Sequence, residues 1–261
     1  MTPEKKFERE LEIFRKEAAQ AAQFYFSFLA IHAAAGTKRS VHYLLNQAPL
    51  FWNTVLGALQ TATFIVLGRI FDQQSAHNLD QLLITAQKNR EIFSRSRLRA
   101  RKAASGGLSE VQLNDYVSGA HDLTVDDIRR LRKNVKQWRG TYERKYRDLR
   151  RKIFAHREIS DAEEIKALFG KTNIRELERL VERLNALQEA LWQTFFNGRK
   201  PVLRRGRLSV KEMLKRSNDP GDSVQERIVA ETALFLFESA GSPNNRGNGK
   251  PPKRMRRAKN R

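Results

Sequence analysis

The chain of 261 residues contains no cysteine, which excludes disulfides and thiolate-bound zinc and fits a reducing compartment. It has no Walker-type phosphate loop, no Gly-rich dinucleotide fingerprint and no His-x-x-x-His pair, so no nucleotide cofactor and no metal is expected. No internal repeat of solenoid size is visible. The opening segment, Met1-Thr2-Pro3-Glu4-Lys5-Lys6, starts a mixed-charge helix rather than a basic cap on an apolar run. Secretion is therefore not expected, and a cytoplasmic location is. The longest apolar run, Phe51 to Gly68, is broken by Asn53, Thr54, Gln60, Thr61 and Thr63 and closed by Arg69, so it reads as a bundle helix, with no membrane partner. From Gly241 onward there is no acidic residue and no large apolar one except Met255, and this basic tail is expected to be disordered when free.

What the chain has in excess is positive charge. Fifty Lys and Arg against 29 Asp and Glu give a formal charge of +21 and a pI near 10.6, which makes a polyanion the expected partner. Nucleic acid ranks ahead of acidic lipid or acidic protein.

Nearly every segment has a helical period. Phe7, Leu11, Phe14, Ala18, Ala21, Tyr25, Phe28 and His32 form one stripe of a first helix that ends near Gly36, with His32 expected in the core. Ser40 is placed to cap a short continuation. Pro49 suits the first turn of a helix whose Trp52, Val55, Leu59, Ala62 and Val66 face inward. Asn78 caps a third, with Leu79, Leu82, Leu83, Ala86 and Phe93 inward, passing into the basic run Arg95, Arg97, Arg99, Arg101 and Lys102. Residues 104 to 123 read as a long connection.

Thr124 starts a helix with Asp126 and Asp127 at its positive end and an apolar face of Ile128, Leu131, Val135, Trp138, Tyr142, Tyr146, Leu149 and Ile153. His156 is next in that series. Ser160 with Glu163, Ser209 with Glu212, and Ser223 with Glu226 read as capping boxes. Asn173 starts, and Gly198 stops, a helix with Ile174, Leu177, Val181, Leu184, Leu191 and Phe195 inward. The last helix carries Val224, Ile228, Phe235 and Leu236. The fold expected is all-α, an antiparallel helical bundle over residues 1–198, then a basic connector with short helices over 199–240 and the tail over 241–261.

The string Leu149-Arg150-Arg151-Lys152-Ile153-Phe154-Ala155-His156-Arg157-Glu158 sets arginines six and five residues before a histidine. Arginine neutralises phosphate through a fixed fork of donors, and histidine moves protons near neutral pH. Together they suffice for metal-free RNA cleavage. His156 would take the 2′-hydroxyl proton or protonate the leaving 5′-oxygen, while Arg150 or Arg151 stabilises charge on phosphorus. The competing reading makes His156 a helix-end residue that satisfies terminal carbonyls. Lys152, Arg147, Arg157, Arg95, Arg97 and Arg99 are further candidates for nucleic-acid contact, against the alternative of a solvated basic face. Arg69 and Asp72, three apart, read as an ordinary ion pair. No partner is assigned to His42, His77 or His121.

The motif string, with Gly68-Arg69-Ile70-Phe71-Asp72 and Asn78-Leu79-Asp80-Gln81-Leu82-Leu83, resembles the abortive-infection, AbiU-type branch of the HEPN superfamily over roughly residues 1 to 200. That resemblance implies an endoribonuclease in phage defence or a toxin-type effector, with an antitoxin protein as a further partner. If Arg150 is the motif arginine, Arg151 stands where the family commonly has Asn, Asp or His, which leaves open which of the two contacts phosphate. On a continuous α-helix Arg150 would lie about 120° from His156, a poor arrangement within one copy. The resemblance implies a homodimer that brings two copies together around one phosphate of RNA, or of DNA if the site only binds. Tyr142 and Tyr146 then belong either to the core or to that interface. The alternative to cleavage is a silent nucleic-acid-binding module of the same fold.

Overall fold

The computed structural model describes residues 1–75, 77–155, 161–204, 206 and 208–241. His156, Arg157 and Ser160 of the sequence reading, and the tail beyond residue 241, lie outside them. Among the described residues the chain is all helical, with no strand.

Helix α1, Pro3–Thr37, begins where the Thr2 hydroxyl accepts the Lys5 N–H and Pro3 fills the first turn. It packs against α3 (Pro49–Phe71), α10 (Ile174–Asn197) and α12 (Val224–Gly241), so most of the core forms around its apolar stripe. Phe7, Phe93 and Phe195 meet there with ring centroids 4.9 to 5.7 Å apart. Towards its C-terminus the buried side of α1 swings to Ile31 and Ala34, which join Val41 and Leu236 in a second cluster. This leaves His32 exposed against the Phe28 ring rather than in the core, contrary to the stripe.

Several boundaries differ from the periodic reading, each for a local reason. Lys38 adopts an extended conformation (φ −120°, ψ 118°) and is itself the cap of α2, Arg39–Gln47, so Ser40 sits inside that helix. The expected third helix is three pieces: α4 (Leu79–Lys88), a 3-10 turn (Arg90–Phe93) and α5 (Arg95–Ser105). Asn89 ends α4 by donating its amide to the Thr85 carbonyl at 2.9 Å, and Ser94 caps α5. The expected connection over 104–123 contains α6, Glu110–Ser118, closed by a Ser109–Gln112 capping box.

Helix α7, Val125–Lys145, starts at the Thr124–Asp127 capping box. It leads into a single turn, α8 (Arg147–Leu149), and then a π-helical segment, Arg150–Ala155. Asp161 caps α9, Ala162–Gly170, through the Glu163 N–H, the role expected of Ser160. Asn173 caps α10 and Gly198 ends it at φ +61°, a left-handed conformation that favours glycine. The capping box at Ser209, for α11 (Val210–Lys215), forms as expected, and at the start of α12 the Ser223 hydroxyl accepts the Glu226 N–H and donates to the Glu226 carboxylate. Ile174, expected inward, is 55 % exposed, and Phe235, carried by the last helix, is 61 % exposed. Helix α12 buries Val229, Ala233 and Leu236 against α1, α2 and α11.

Candidate active site

The site is built where α7 fails to continue. Tyr142 and Tyr146 are both core residues: the Tyr146 hydroxyl donates to the Asn173 carbonyl at 3.0 Å, and the Tyr142 ring stacks on Phe71 at 5.0 Å. These anchors hold the end of α7 between α3 and the start of α10. Beyond them the ladder opens into the π-helical segment, a conformation that is rare and concentrated at functional sites. Phe154 pins the segment by stacking on Phe64 of α3 at 4.8 Å, with Phe169 edge-on at 6.3 Å. The continuous helix assumed for the angle between Arg150 and His156 therefore ends at Tyr146, and that angle does not apply.

Arg150 is half-buried and packs on the last turns of α3. A Cβ placed on Gly68 would stand 2.6 Å from Arg150 Nε and 3.0 Å from its Cζ, so only glycine admits the guanidinium in this position. Among the described residues the buried Arg150 Nε has no hydrogen-bond partner, nor does the Tyr142 hydroxyl. Burial pushes the Tyr142 phenol up to about 12, with Asp72 raising it further and Arg150 and Arg147 opposing. Tyr142, Arg150, Arg147 and Asp72 thus share one electrostatic environment.

Of the other arginine candidates, Arg151 is exposed, and Arg147 is exposed with Asp148 at 3.9 Å. Lys152 reaches Glu164 of α9 at 3.3 Å. Arg69 does not pair with Asp72. Its guanidinium grips Glu17 of α1 at 2.9 to 3.0 Å, while Asp72, as the C-cap of α3, accepts the Gln74 N–H. Both residues fix the end of α3 on which Arg150 rests.

The α5 run stands apart. Helix α5 packs on α6 and α10, whereas the π segment packs on α3 and α8. Arg95 donates to the Ala120 carbonyl at 2.7 Å, and Arg99 holds Asn114 at 3.2 Å and Glu110. Arg101 turns inward to Glu4 and to the carbonyls of Ile92 and Phe195, and Arg97 is exposed. The run is thus largely used to hold the fold. The face of α7 is also partly paired internally, Arg139 to Asp80 and Lys145 to Glu176.

The histidines without assigned partners acquire them: His42 meets Asn46 at 3.1 Å, His77 meets Glu10 at 3.0 Å, and His121 meets Asp127 at 2.7 Å. Among the described residues no cluster of three or more His, Asp or Glu could hold a metal ion. The role of Gly68 was missed in the sequence, and Tyr142, left open there between core and interface, is a core residue. Gly68 could have been noticed as one of two glycines inside a strongly apolar helix.

Helix α3 is the one described helix long and apolar enough to cross a membrane by length and composition, and 39 % of its most apolar window is buried in the bundle.

The family model that matches the chain is AbiU2, a HEPN family, over residues 4–220. No curated protein and no solved structure matches. The matched region runs from the first turn of α1 past the end of α11 and takes in Gly68, Tyr142 and the whole Arg150 to His156 string. The chain therefore belongs to the AbiU2 family of HEPN domains, an abortive-infection group.

Proposed function

We propose that this chain is a metal-independent endoribonuclease that works as a homodimer in phage defence by abortive infection, or as a toxin-type effector held by an antitoxin protein. The observation that carries the reading is the Arg150-to-His156 string within an AbiU2 match, with Arg150 seated on Gly68 at the end of α3. The reaction needs only groups of that string and the RNA itself. His156 takes the proton from a ribose 2′-hydroxyl, the 2′-oxygen attacks phosphorus, and the bond to the 5′-oxygen breaks as that oxygen receives a proton. Arg150 or Arg151 neutralises the charge that builds on the non-bridging oxygens. The products are a 2′,3′-cyclic phosphate and a 5′-hydroxyl. Arg147, Lys152 and Arg157 extend the positive surface along the RNA backbone, and no membrane association is part of this reading.

The test is incubation of the purified chain and of His156→Ala with labelled structured and unstructured RNAs in EDTA. Cleavage by the unaltered chain alone, leaving cyclic phosphate ends, is expected. No cleavage by either, with RNA binding kept by both, makes the chain a silent nucleic-acid-binding module and His156 a structural residue.

A further inference from the structure

We infer that Gly68 is a positioning residue that seats the guanidinium of Arg150, rather than that of Arg151, as the phosphate contact of the site; the inference rests on the RNA-directed reading above. The two arginines are adjacent in sequence, and nothing in their spacing to His156 separates them. Their surroundings do.

Arg150 is half-buried, and the space its guanidinium fills exists because residue 68 has no side chain: a Cβ there would come within 2.6 Å of Nε, 3.0 Å of Cζ and 3.3 Å of Cδ. Arg151 is exposed. Among the described residues the buried Nε of Arg150 has no hydrogen-bond partner, although buried polar groups are paired in the great majority of cases.

The result is an arginine aimed by shape rather than by an internal carboxylate. Among the described residues its side chain makes no ion pair, whereas Arg69, Arg101, Arg130 and Arg139 each grip an acid. An arginine already neutralised by Asp or Glu must give up that partner to take a phosphate. One held in place by packing alone keeps its full charge for the ligand and loses little side-chain freedom on binding. The atoms crowding the missing Cβ are the far end of a flexible side chain. A methyl group at 68 is therefore accommodated by displacing the guanidinium, not by moving a helix.

The experiment is a mutant cycle read by RNA affinity, with a fluorescent single-stranded oligoribonucleotide in an His156→Ala background where no turnover occurs. Arg150→Ala is expected to weaken binding about tenfold and Gly68→Ala by a similar factor, with less than about twofold further loss when the two are combined. Arg151→Ala is expected to cost less than about threefold. Losses that multiply in the double variant, or a larger loss from Arg151→Ala than from Arg150→Ala, overturn the inference. Should Gly68→Ala lose its helical circular dichroism, the comparison of Arg150→Ala with Arg151→Ala decides alone, with the larger loss from Arg150→Ala as the expected result. If the cycle holds but the unaltered chain cleaves nothing in EDTA, the nuclease reading alone fails. If cleavage occurs and the cycle does not couple, the inference alone fails, and absence of RNA binding removes both.

Discussion

The imidazole Nε2 of His121 lies 2.7 Å from Oδ2 of Asp127, and the same carboxylate accepts the backbone N–H and hydroxyl of Thr124 while its other oxygen holds Arg130. Asp127 is thus the node that starts α7, the helix that delivers the site. Burial acts to raise its carboxyl, but the hydrogen bonds from His121 and Thr124 win and hold it below the ordinary aspartate value.

A native carboxyl held low stabilises the fold above the unfolded-state value, near ~4, and the contribution disappears as pH falls through the lowered native value. Asp127→Asn is expected to cost about 1–3 kcal/mol at neutral pH. The gap between variant and unaltered chain should close in acid. Urea unfolding at neutral pH and near pH ~3 checks this; a gap that persists in acid would contradict the assignment.

The opposite sign applies to tyrosine. Tyr142 is pushed up to about 12, and Tyr25 and Tyr146 are also raised, in each case first by burial. Their phenols must stay protonated in the fold, so stability is full below the unfolded-state value near ~10 and is lost as pH rises through the raised native values. Alkaline unfolding followed by circular dichroism should coincide with the absorbance change of tyrosinate. A tyrosinate signal from all five tyrosines near pH ~10 with the fold intact would refute it.

Arg101 belongs to the interior rather than to an RNA-binding face. It bonds the carbonyls of Ile92 at 2.8 Å and Phe195 at 2.7 Å, with its guanidinium carbon 4.2 Å from the Phe195 ring centroid. Arg101→Lys keeps the charge but loses the fork, so a stability loss of about 2–3 kcal/mol is expected, with RNA affinity per folded molecule unchanged. Thermal unfolding together with an RNA titration separates the two effects.

Gly198 ends α10 at φ +61°, and a Cβ there would meet Leu98 Cδ2 at 2.5 Å and Ala120 Cβ at 2.8 Å. Gly198→Ala combines left-handed strain with overlap onto α5 and the loop after α6, and should cost at least about 2 kcal/mol. A change in melting temperature within experimental error would show that these contacts relax freely.

The fold was legible wherever burial and capping agree. The stripes of α7 and α10, and the caps Asn78, Thr124, Asn173, Ser209 and Ser223, read directly from sequence because each needs only a local side chain and a period. Helix α6 was hidden by Gly106, Gly107 and scarce large apolar residues, although its Ser109–Gln112 box was there to be read. The fates of Arg69 and Arg101 were not legible, since Glu17 and Glu4 lie 52 and 97 residues away. For the site, the sequence offered the motif string but no choice between its arginines. That choice depends on what lies beneath each one, and in α3 that is the bare backbone of Gly68.

The π-helical stretch makes residue count a poor protractor. An α-helix closes its hydrogen bonds over four residues and a π-helix over five, so a turn of this kind absorbs one additional residue without breaking the rod. A chain with such a turn between its cation and its proton carrier can lengthen or shorten that interval by one and still present both groups from the same side. Variation in the spacing of such a motif is then an insertion taken up by the backbone, and a one-residue difference between two sequences is no measure of how far their reactive groups have turned.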